Sequence, residues 1–379
     1  MAYNENQTTP RSTEVGQLQP VLAGLLPFGT FIVMAQSAAC ANCLVSLFGI
    51  ATNTLNLKTF VAMGGVFTDG VALTFFTLSI SDLGFCVWSL CWSGSSLCFV
   101  LEKRFVASQL PYYFPVDPRA MGFYSYIMMV IFGTTTTLIT VYLAVMRCLC
   151  VVHPLAFRGS LSPRKAGVLF ALFLAFSVAT RIPIISSIGI RATFDLRWNV
   201  TRPGLWSQPN KEQVKDGIRS GVDVPLPIVA EVILTVCIIV MTNALRASTQ
   251  FRNQSTTSSI QTSGQAHTGH SELTRQEDDQ SSKNGRAKSK GLSPKDARVV
   301  KQLVILSLLF IVCNIPKLAR TLADALEPEF MLGRRYENFY EMSNQIHVLA
   351  ETFNSTLNFF NTKFRLQIIP HKVCGGQRV

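Results

Sequence analysis

Long uninterrupted blocks of apolar residues restrict the folds that are open to this chain. A helix needs about 20 mainly apolar residues to cross a bilayer, because lipid offers no hydrogen-bond partners to exposed backbone groups. Blocks of this kind occur at about residues 21–53, 71–100, 121–145, 166–190, 222–245 and 299–325. A further block, 339–360, contains Glu341, His347 and Glu351. Since polar groups inside a span are costly and usually face the bundle interior, we count this block as well and predict seven spans.

The composition agrees with a membrane protein and excludes a typical cytosolic enzyme. Only 15% of the 379 residues are charged, against about a quarter in ordinary globular domains, and 48% are hydrophobic. The net charge of +12 suits a chain that lies beside anionic membrane lipid. No nucleic-acid partner is predicted, because the basic residues lie between apolar blocks and are not interleaved with aromatic residues.

The predicted fold class is an all-α membrane protein, a seven-transmembrane helix bundle with an extracellular N-terminus and a cytoplasmic C-terminus. The predicted divisions are an extracellular tail (1–20), the bundle (21–360) and a short cytoplasmic tail (361–379). The stretch from about 247 to 295 is rich in Ser, Thr, Gln and Gly and has almost no large apolar residues. Because it cannot bury enough surface to offset chain entropy, we predict a disordered third cytoplasmic loop there.

Local signals mark helix starts and modification sites. Ser162-Pro163 and Ser293-Pro294 each place a capping hydroxyl before a proline, which is typical of a helix start. The sequons at Asn6 and Asn199 both fall outside in the predicted orientation, so we predict glycosylation there. Cys374 follows a short, partly apolar stretch and is a predicted palmitoylation site.

The ten cysteines do not predict a metal centre. No Cys-x-x-Cys pair is matched by a second Cys or His pair, as a zinc site requires. Most cysteines lie in apolar blocks, where they behave as small buried hydrophobes. An enzyme is also disfavoured: His347 and Glu351 share a helical face, but no third ligand or nucleophile completes a site.

Polar residues inside the predicted spans occur in a characteristic order. They are Asn53 within Thr-Asn-Thr-Leu-Asn (52–56), Asp82 within Ile-Ser-Asp, Arg147 before His153-Pro154-Leu155, Phe310, Cys313 and Pro316 in the sixth span, and Asn354, Ser355 and Asn358 in the seventh. From about residue 30 to 366 this ordered set resembles the rhodopsin-like G-protein-coupled receptors. Within that family the first two stretches look most like invertebrate neuropeptide-type and gastropod chemosensory receptors.

The resemblance implies a receptor in the plasma membrane that transmits the binding of an extracellular ligand to a heterotrimeric G protein. The ligand would be a peptide or a chemosensory small molecule. Arg147 matches the family's switch arginine, and Pro316 the helix kink that allows the sixth span to swing outward. Pro154 and Leu155 match positions that dock on the G protein, and Phe310 belongs to the same switch set. The alternative for Arg147 is an interfacial anchor that extends to the lipid headgroups.

A polar network is also implied inside the bundle. By resemblance, the set that matches the family's sodium pocket is Asp82, Thr136, Asn354, Ser355 and Asn358, with Asn53 beside it. A sodium ion there favours the resting state; no other cofactor or metal is implied. The alternative is a water-filled polar network that holds the helices together without an ion.

The candidate ligand-pocket residues are Met129, Arg181, Lys317, Arg320, His347 and Glu351. Retinal is disfavoured, because the seventh span has no lysine for a Schiff base. Amines are disfavoured, because Met129 stands where amine receptors carry an Asp. Two alternatives remain for the charges: the basic residues bind an acidic ligand group, or Lys317 or Arg320 pairs with Glu351.

The chain departs from the family pattern at several positions. Gly122 stands where the family has a cysteine, and the loop 191–221 contains no Cys. No disulfide is therefore predicted, and the loop is expected to be less tethered. The other departures are Met146 for the acid before the switch arginine, Asn314 for Trp, Phe359 for Pro and Thr362 for Tyr. They leave two alternatives open: a non-signalling or atypical receptor, and a small-solute transporter.

Overall fold

Long helices make up most of the structure, a computed structural model that describes residues 26–62, 64, 70–107, 113–152, 162–195, 199–263, 294–331 and 334–366. The helices are α1 (Phe28–Ala62), α2 (Gly70–Ala107), α3 (Pro118–Val152), α4 (Pro163–Ala179), α5 (Ile182–Ser186), α6 (Lys211–Ile218), α7 (Pro225–Ser263), α8 (Pro294–Leu326) and α9 (Glu337–Leu366). Two strands, β1 (Ile188–Asp195) and β2 (Val200–Ser207), lie between α5 and α6. A π-helical turn, Arg219–Asp223, joins α6 to α7.

In the described part of the chain, five helical stretches are long and apolar enough to cross a membrane. They are Gly29–Ala62, Gly70–Phe105, Pro118–Cys150, Pro163–Ser186 and Gln213–Ala244. The remaining two predicted spans correspond to α8 and α9. These helices are 33 and 30 residues long, which exceeds the length that a span needs, but they carry more ionisable side chains.

Apolar side chains point away from the bundle as well as into it. Leu44 on α1 is 69% exposed and Val168 on α4 is 63% exposed. Buried polar side chains, among them Asn42, Asn53 and Asp82, lie in the interior. This distribution suits a lipid environment, in which apolar groups face the hydrocarbon and polar groups pair inside the bundle.

The predicted helix starts are confirmed where the structure describes them. α4 begins at Pro163 with Ser162 as its N-cap residue, although the Ser162 hydroxyl makes no capping hydrogen bond, and α8 begins at Pro294. The fourth span, predicted to reach residue 190, ends earlier, at Ser186, and its helix is interrupted after Ala179. α4 stops at Ala179, close before Pro183, because proline has no N–H with which to continue the helical hydrogen bonds.

Two predictions about connecting segments are wrong in part. α7 continues to Ser263, so the loop predicted from about 247 begins too early; residues 264–293 lie outside the described residues. Once the preceding turns are fixed, each added helical residue gains a hydrogen bond, and Ser, Thr and Gln carry only modest propensity costs. The all-α prediction is also wrong for β1 and β2, which pair antiparallel from Ile188↔Ser207 to Asp195↔Val200.

Candidate functional site

Two adjoining cavities open inside the bundle. The larger, which we call the outer cavity, has a volume of about 570 Å³ and is bounded by α1, α2, α3, α6, α8, α9 and Leu205 of β2. The smaller, or inner cavity, measures about 70 Å³ and lies between α3, α7, α8 and α9. Both are lined by Tyr126, Val130, Arg181, Asp223, Arg320 and Thr321. A ligand can therefore extend from one cavity into the other.

The structure brings the predicted pocket residues together around one cavity. Met129, Arg181, Lys317, Arg320, His347 and Glu351 all line the inner cavity. Met129 is 1% exposed and packs in a cluster with Phe85, Trp92 and Val348. The cluster joins α2, α3 and α9 beside the inner cavity, which Met129 lines.

Ion pairs account for most of the charge in the inner cavity. Lys317 Nζ lies 2.7 Å from Glu351 Oε1, which joins α8 to α9. Arg181 donates through both terminal nitrogens to the carboxylate of Asp223, with Nη1 3.1 Å from Oδ2. Of the two alternatives for Lys317, the structure therefore shows the pair with Glu351.

Sequence reasoning missed two acidic residues in this cavity, Asp223 and Glu231. Both lie in the apolar block 222–245, which contains no other acid. An ionisable residue in such a block usually faces a cavity or a partner, so the signal was present in the sequence. The block was treated only as a span.

A buried polar network surrounds Asp82. Thr136 Oγ1 lies 3.1 Å from Asp82 Oδ1 and 3.0 Å from Ser81 Oγ, and its single hydroxyl proton donates to one of them at a time. Asn53 instead donates to the backbone carbonyl of Ser355 at 3.2 Å, which links α1 to α9. Asn354 and Ser355 are also buried. The side chain of Asn358 lies outside the described residues.

A second polar network, which sequence reasoning missed, joins α1, α2 and α9. Asn42 Nδ2 donates to Ser89 Oγ at 3.0 Å and also to Ser93 Oγ. Ser89 Oγ is 2.9 Å from Thr352 Oγ1. Ser89 and Ser93 are four residues apart and so lie on one helical face, which was the available signal.

The chain matches a known protein family over most of its length. A family model described as "7 transmembrane receptor (rhodopsin family)" matches residues 72–358. The chain belongs to this family. A comparison with curated proteins gives no match.

Membership settles the general architecture of the receptor. The family is built as a seven-helix bundle, so α8 and α9 are its sixth and seventh spans, and the receptor is a multi-pass membrane protein. Membership also implies an extracellular ligand and a G protein, and receptors of this family are normally not enzymes.

The β1–β2 hairpin of the receptor is held by a buried ion pair. Arg202 on β2 is 3% exposed, and Glu102 near the end of α2 is 2% exposed. The contact is bidentate, with Nη1–Oε1 at 2.6 Å and Nη2–Oε2 at 3.1 Å. Asp195 Oδ2 accepts a further bond from Nη2 at 2.7 Å. An ion pair therefore ties this loop to α2, a tether that was not predicted from the sequence.

The same tether includes the segment between α2 and α3. Phe114 donates its N–H to Glu102 Oε1 at 2.8 Å, and its carbonyl accepts from Arg202 at 2.9 Å. Asp117 N–H donates to the carbonyl of Pro203 at 3.0 Å. The hydrogen bonds to Glu102 raise the pKa of Arg202 above its ordinary value, and burial opposes them.

The end of the bundle that contains Arg147 is described only in part. Arg147 is partly buried near the end of α3. Phe310 on α8 belongs to a hydrophobic cluster with Ala144 on α3 and Leu234 on α7, and it also lines the inner cavity. Pro316 lies inside α8. The remaining predicted residues, Pro154, Leu155, Asn6 and Cys374, lie outside the described residues.

Proposed function

We propose that the receptor transmits the binding of an extracellular ligand in the two cavities to a heterotrimeric G protein, from a place in the plasma membrane. The main support is the position of Phe310. It lines the inner cavity and shares a hydrophobic cluster with Ala144, which lies three residues before Arg147. A ligand that binds two arrangements of this cluster with different affinity shifts the balance between them.

The proposed orientation puts the β1–β2 hairpin outside and the N-terminal tail with it. Asn199 supports this orientation, because it is exposed at the turn between the strands, where a sequon is accessible to glycosylation. Glycosylation of Asn6 outside and palmitoylation of Cys374 inside are parts of the same proposal.

The proposed ligand is a peptide or a chemosensory small molecule, as in the receptors that the sequence resembles. The outer cavity supports this range, because a volume of about 570 Å³ is typical of pockets that enclose small organic ligands. Its apolar wall includes Phe99, Phe123 and Ile127, and its polar wall includes Asn344 and Gln345. A peptide side chain or a compact organic molecule fits this mixture.

Arg147→Ala tests the proposed coupling. We expect the variant to bind ligand but to lose ligand-dependent G-protein dissociation, because the guanidinium is the proposed contact with the G protein. Dissociation is measured by energy transfer between labelled G-protein subunits during a broad ligand screen. Arg246→Ala, which removes an exposed arginine from α7, is the matched control and should signal normally. An Arg147→Ala receptor that signals as well as wild type would contradict the proposal.

A non-signalling receptor is the second candidate, and one observation favours it. α9 runs without interruption to Leu366, through Phe359 where the family has proline. The same screen separates the two candidates, because ligand binding to wild type without G-protein dissociation would select the non-signalling receptor.

We also propose that sodium binds beside Asp82. Its support is the buried Asp82 carboxylate, whose Oδ1 lies 3.1 Å from the Thr136 hydroxyl, which in turn lies 3.0 Å from Ser81 Oγ. Sodium chloride should raise the unfolding temperature of the purified receptor relative to equal N-methylglucamine chloride, because binding to the folded state stabilises it. Asp82→Asn should remove the difference and Asp117→Asn, outside the network, should keep it. Equal unfolding temperatures in both salts would favour a polar network without an ion.

A further inference from the structure

Six charged side chains line the inner cavity, and they divide into two ion pairs and two remaining residues. The six are Arg181, Lys317, Arg320, Asp223, Glu231 and Glu351. Arg181 pairs with Asp223 and Lys317 pairs with Glu351. The remaining two, Arg320 and Glu231, carry opposite charges. No ion pair joins them to each other or to another described residue.

Arg320 keeps a large part of its hydrogen-bonding capacity. Its Nε is buried and donates no hydrogen bond, and Nη1 donates only weakly to the Tyr340 hydroxyl at 3.3 Å. Asp324, one turn further along α8, is bonded to Arg219 at 3.1 Å instead. Since Arg320 lines both cavities, its guanidinium lies where a ligand would pass from one to the other.

Glu231 is the acidic counterpart on α7. Its Oε2 is buried and accepts no hydrogen bond from a described residue. Lys317 interacts with it electrostatically, but the Lys317 ammonium is hydrogen-bonded to Glu351. His347 Nδ1, also buried without a hydrogen bond, adds a third polar atom to the same cavity.

Ionisable groups in a buried site are costly when they have no ion-pair partner, so a site that retains two such groups of opposite sign is complementary to a molecule that supplies both partners. We infer that the ligand is a zwitterion whose carboxylate binds Arg320 and whose ammonium group binds Glu231. This inference rests on the proposed function, in which the two cavities hold the ligand. Its chemical class is an amino acid, an amino-acid derivative or a short peptide with free termini. In this arrangement the ammonium group of the ligand binds Glu231 on α7, the fifth span. The third span does not need to supply an acid, which agrees with the presence of Met129 where amine receptors carry an Asp.

The test uses the full-length receptor in lipid nanodiscs and three matched sets of probes. The probes are amino acids and di- and tripeptides with free termini, their methyl esters and their N-acetyl forms. Binding is measured as the rise in unfolding temperature across a concentration series. On wild type, each ester and each acetyl form should bind about tenfold to a hundredfold more weakly than its parent, as expected for a lost charge-assisted hydrogen bond. The amino-acid and peptide sets show which source supplies the ligand.

Two variants assign each group to its partner. In Arg320→Gln the free acid and its ester should bind alike, and in Glu231→Gln the free amine and its acetyl form should bind alike. Both variants should unfold without ligand at no lower a temperature than wild type, because each removes a charge that has no ion pair; a structural role would lower this temperature. Arg334→Gln and Glu329→Gln, which alter an ion pair outside both cavities, are the matched controls and should keep wild-type discrimination.

The outcomes separate this inference from the proposed function. Equal binding of parents, esters and acetyl forms to wild type would overturn the inference, and so would the absence of binding by every zwitterion. Either result leaves the G-protein proposal standing if another class of molecule causes dissociation. Zwitterion binding with the expected pattern but without dissociation would support the inference and contradict coupling. If a Gln variant does not fold, the comparison of probes on wild type still decides.

Discussion

Arg202→Ala is expected to lower the free energy of unfolding of the receptor by about 3–5 kcal/mol, because it leaves a buried carboxylate without its partner. Glu102 is 2% exposed and receives two hydrogen bonds from Arg202. After the substitution, only the Phe114 N–H still donates to it among the contacts described above. Stability is measured on purified receptor in mixed micelles as the mole fraction of SDS is increased.

Two further variants show whether the lost pair is the cause. The double variant Glu102→Leu with Arg202→Met removes both charges of the pair and should recover part of the stability, because apolar replacements of a buried pair are often neutral or better, while Asp195 still loses its partner. Arg191→Ala removes an exposed arginine from β1 and should change stability by less than about 0.5 kcal/mol. An Arg202→Ala receptor as stable as the Arg191→Ala control would show that the pair does not hold the hairpin.

Gly49→Val is expected to cost about 1–3 kcal/mol, because side-chain atoms at this position overpack the bundle. A Cβ at Gly49 would lie 2.6 Å from Cys86 Sγ and 2.7 Å from Thr356 Oγ1. Both neighbours are buried, so α1 must move away from α2 and α9 to make room. Close approach at small residues is a common means of helix packing in membranes.

Gly94→Val is the matched control for the glycine prediction. A Cβ at Gly94 on α2 would meet no atom within 4 Å, so the same change should be neutral or slightly stabilising. Both variants are compared by SDS titration and by the amount of receptor at the cell surface. Equal stability of the two variants would mean that α1 repacks without strain.

The general architecture was readable from the sequence because membrane spans have a strong length and composition signal. The polar positions in the spans also indicated the site, because polar residues inside a membrane are costly and usually line a pocket or belong to a hydrogen-bond network. Arg181, Lys317 and Glu351 were predicted pocket residues, and all three line the inner cavity. Their ion-pair partners could not be predicted from the sequence. The position of a residue in a span gives its depth in the membrane, but it does not give the rotation of the helix about its axis.

The hairpin and its tether were not predicted, for two different reasons. The alternation of Ile188, Ile190, Ala192 and Phe194 has the period of a strand, but the fourth apolar block was extended to residue 190 and hid its start. The pair of Glu102 with Arg202 spans 100 positions, and no local pattern connects them. Pairing at that separation is fixed by tertiary packing alone.

The attachment of the hairpin by an ion pair, and not by a disulfide, has a consequence for how the receptor matures. The nine cysteines of the described residues are free thiols, and Arg202 joins β2 to Glu102 of α2 and to Asp195 of β1 by carboxylate–guanidinium contacts shielded from solvent. Such ties need no oxidant to form and no isomerase to correct them. The hairpin can therefore attach to α2 without an oxidation step, and a reducing medium has no disulfide to open among the described cysteines.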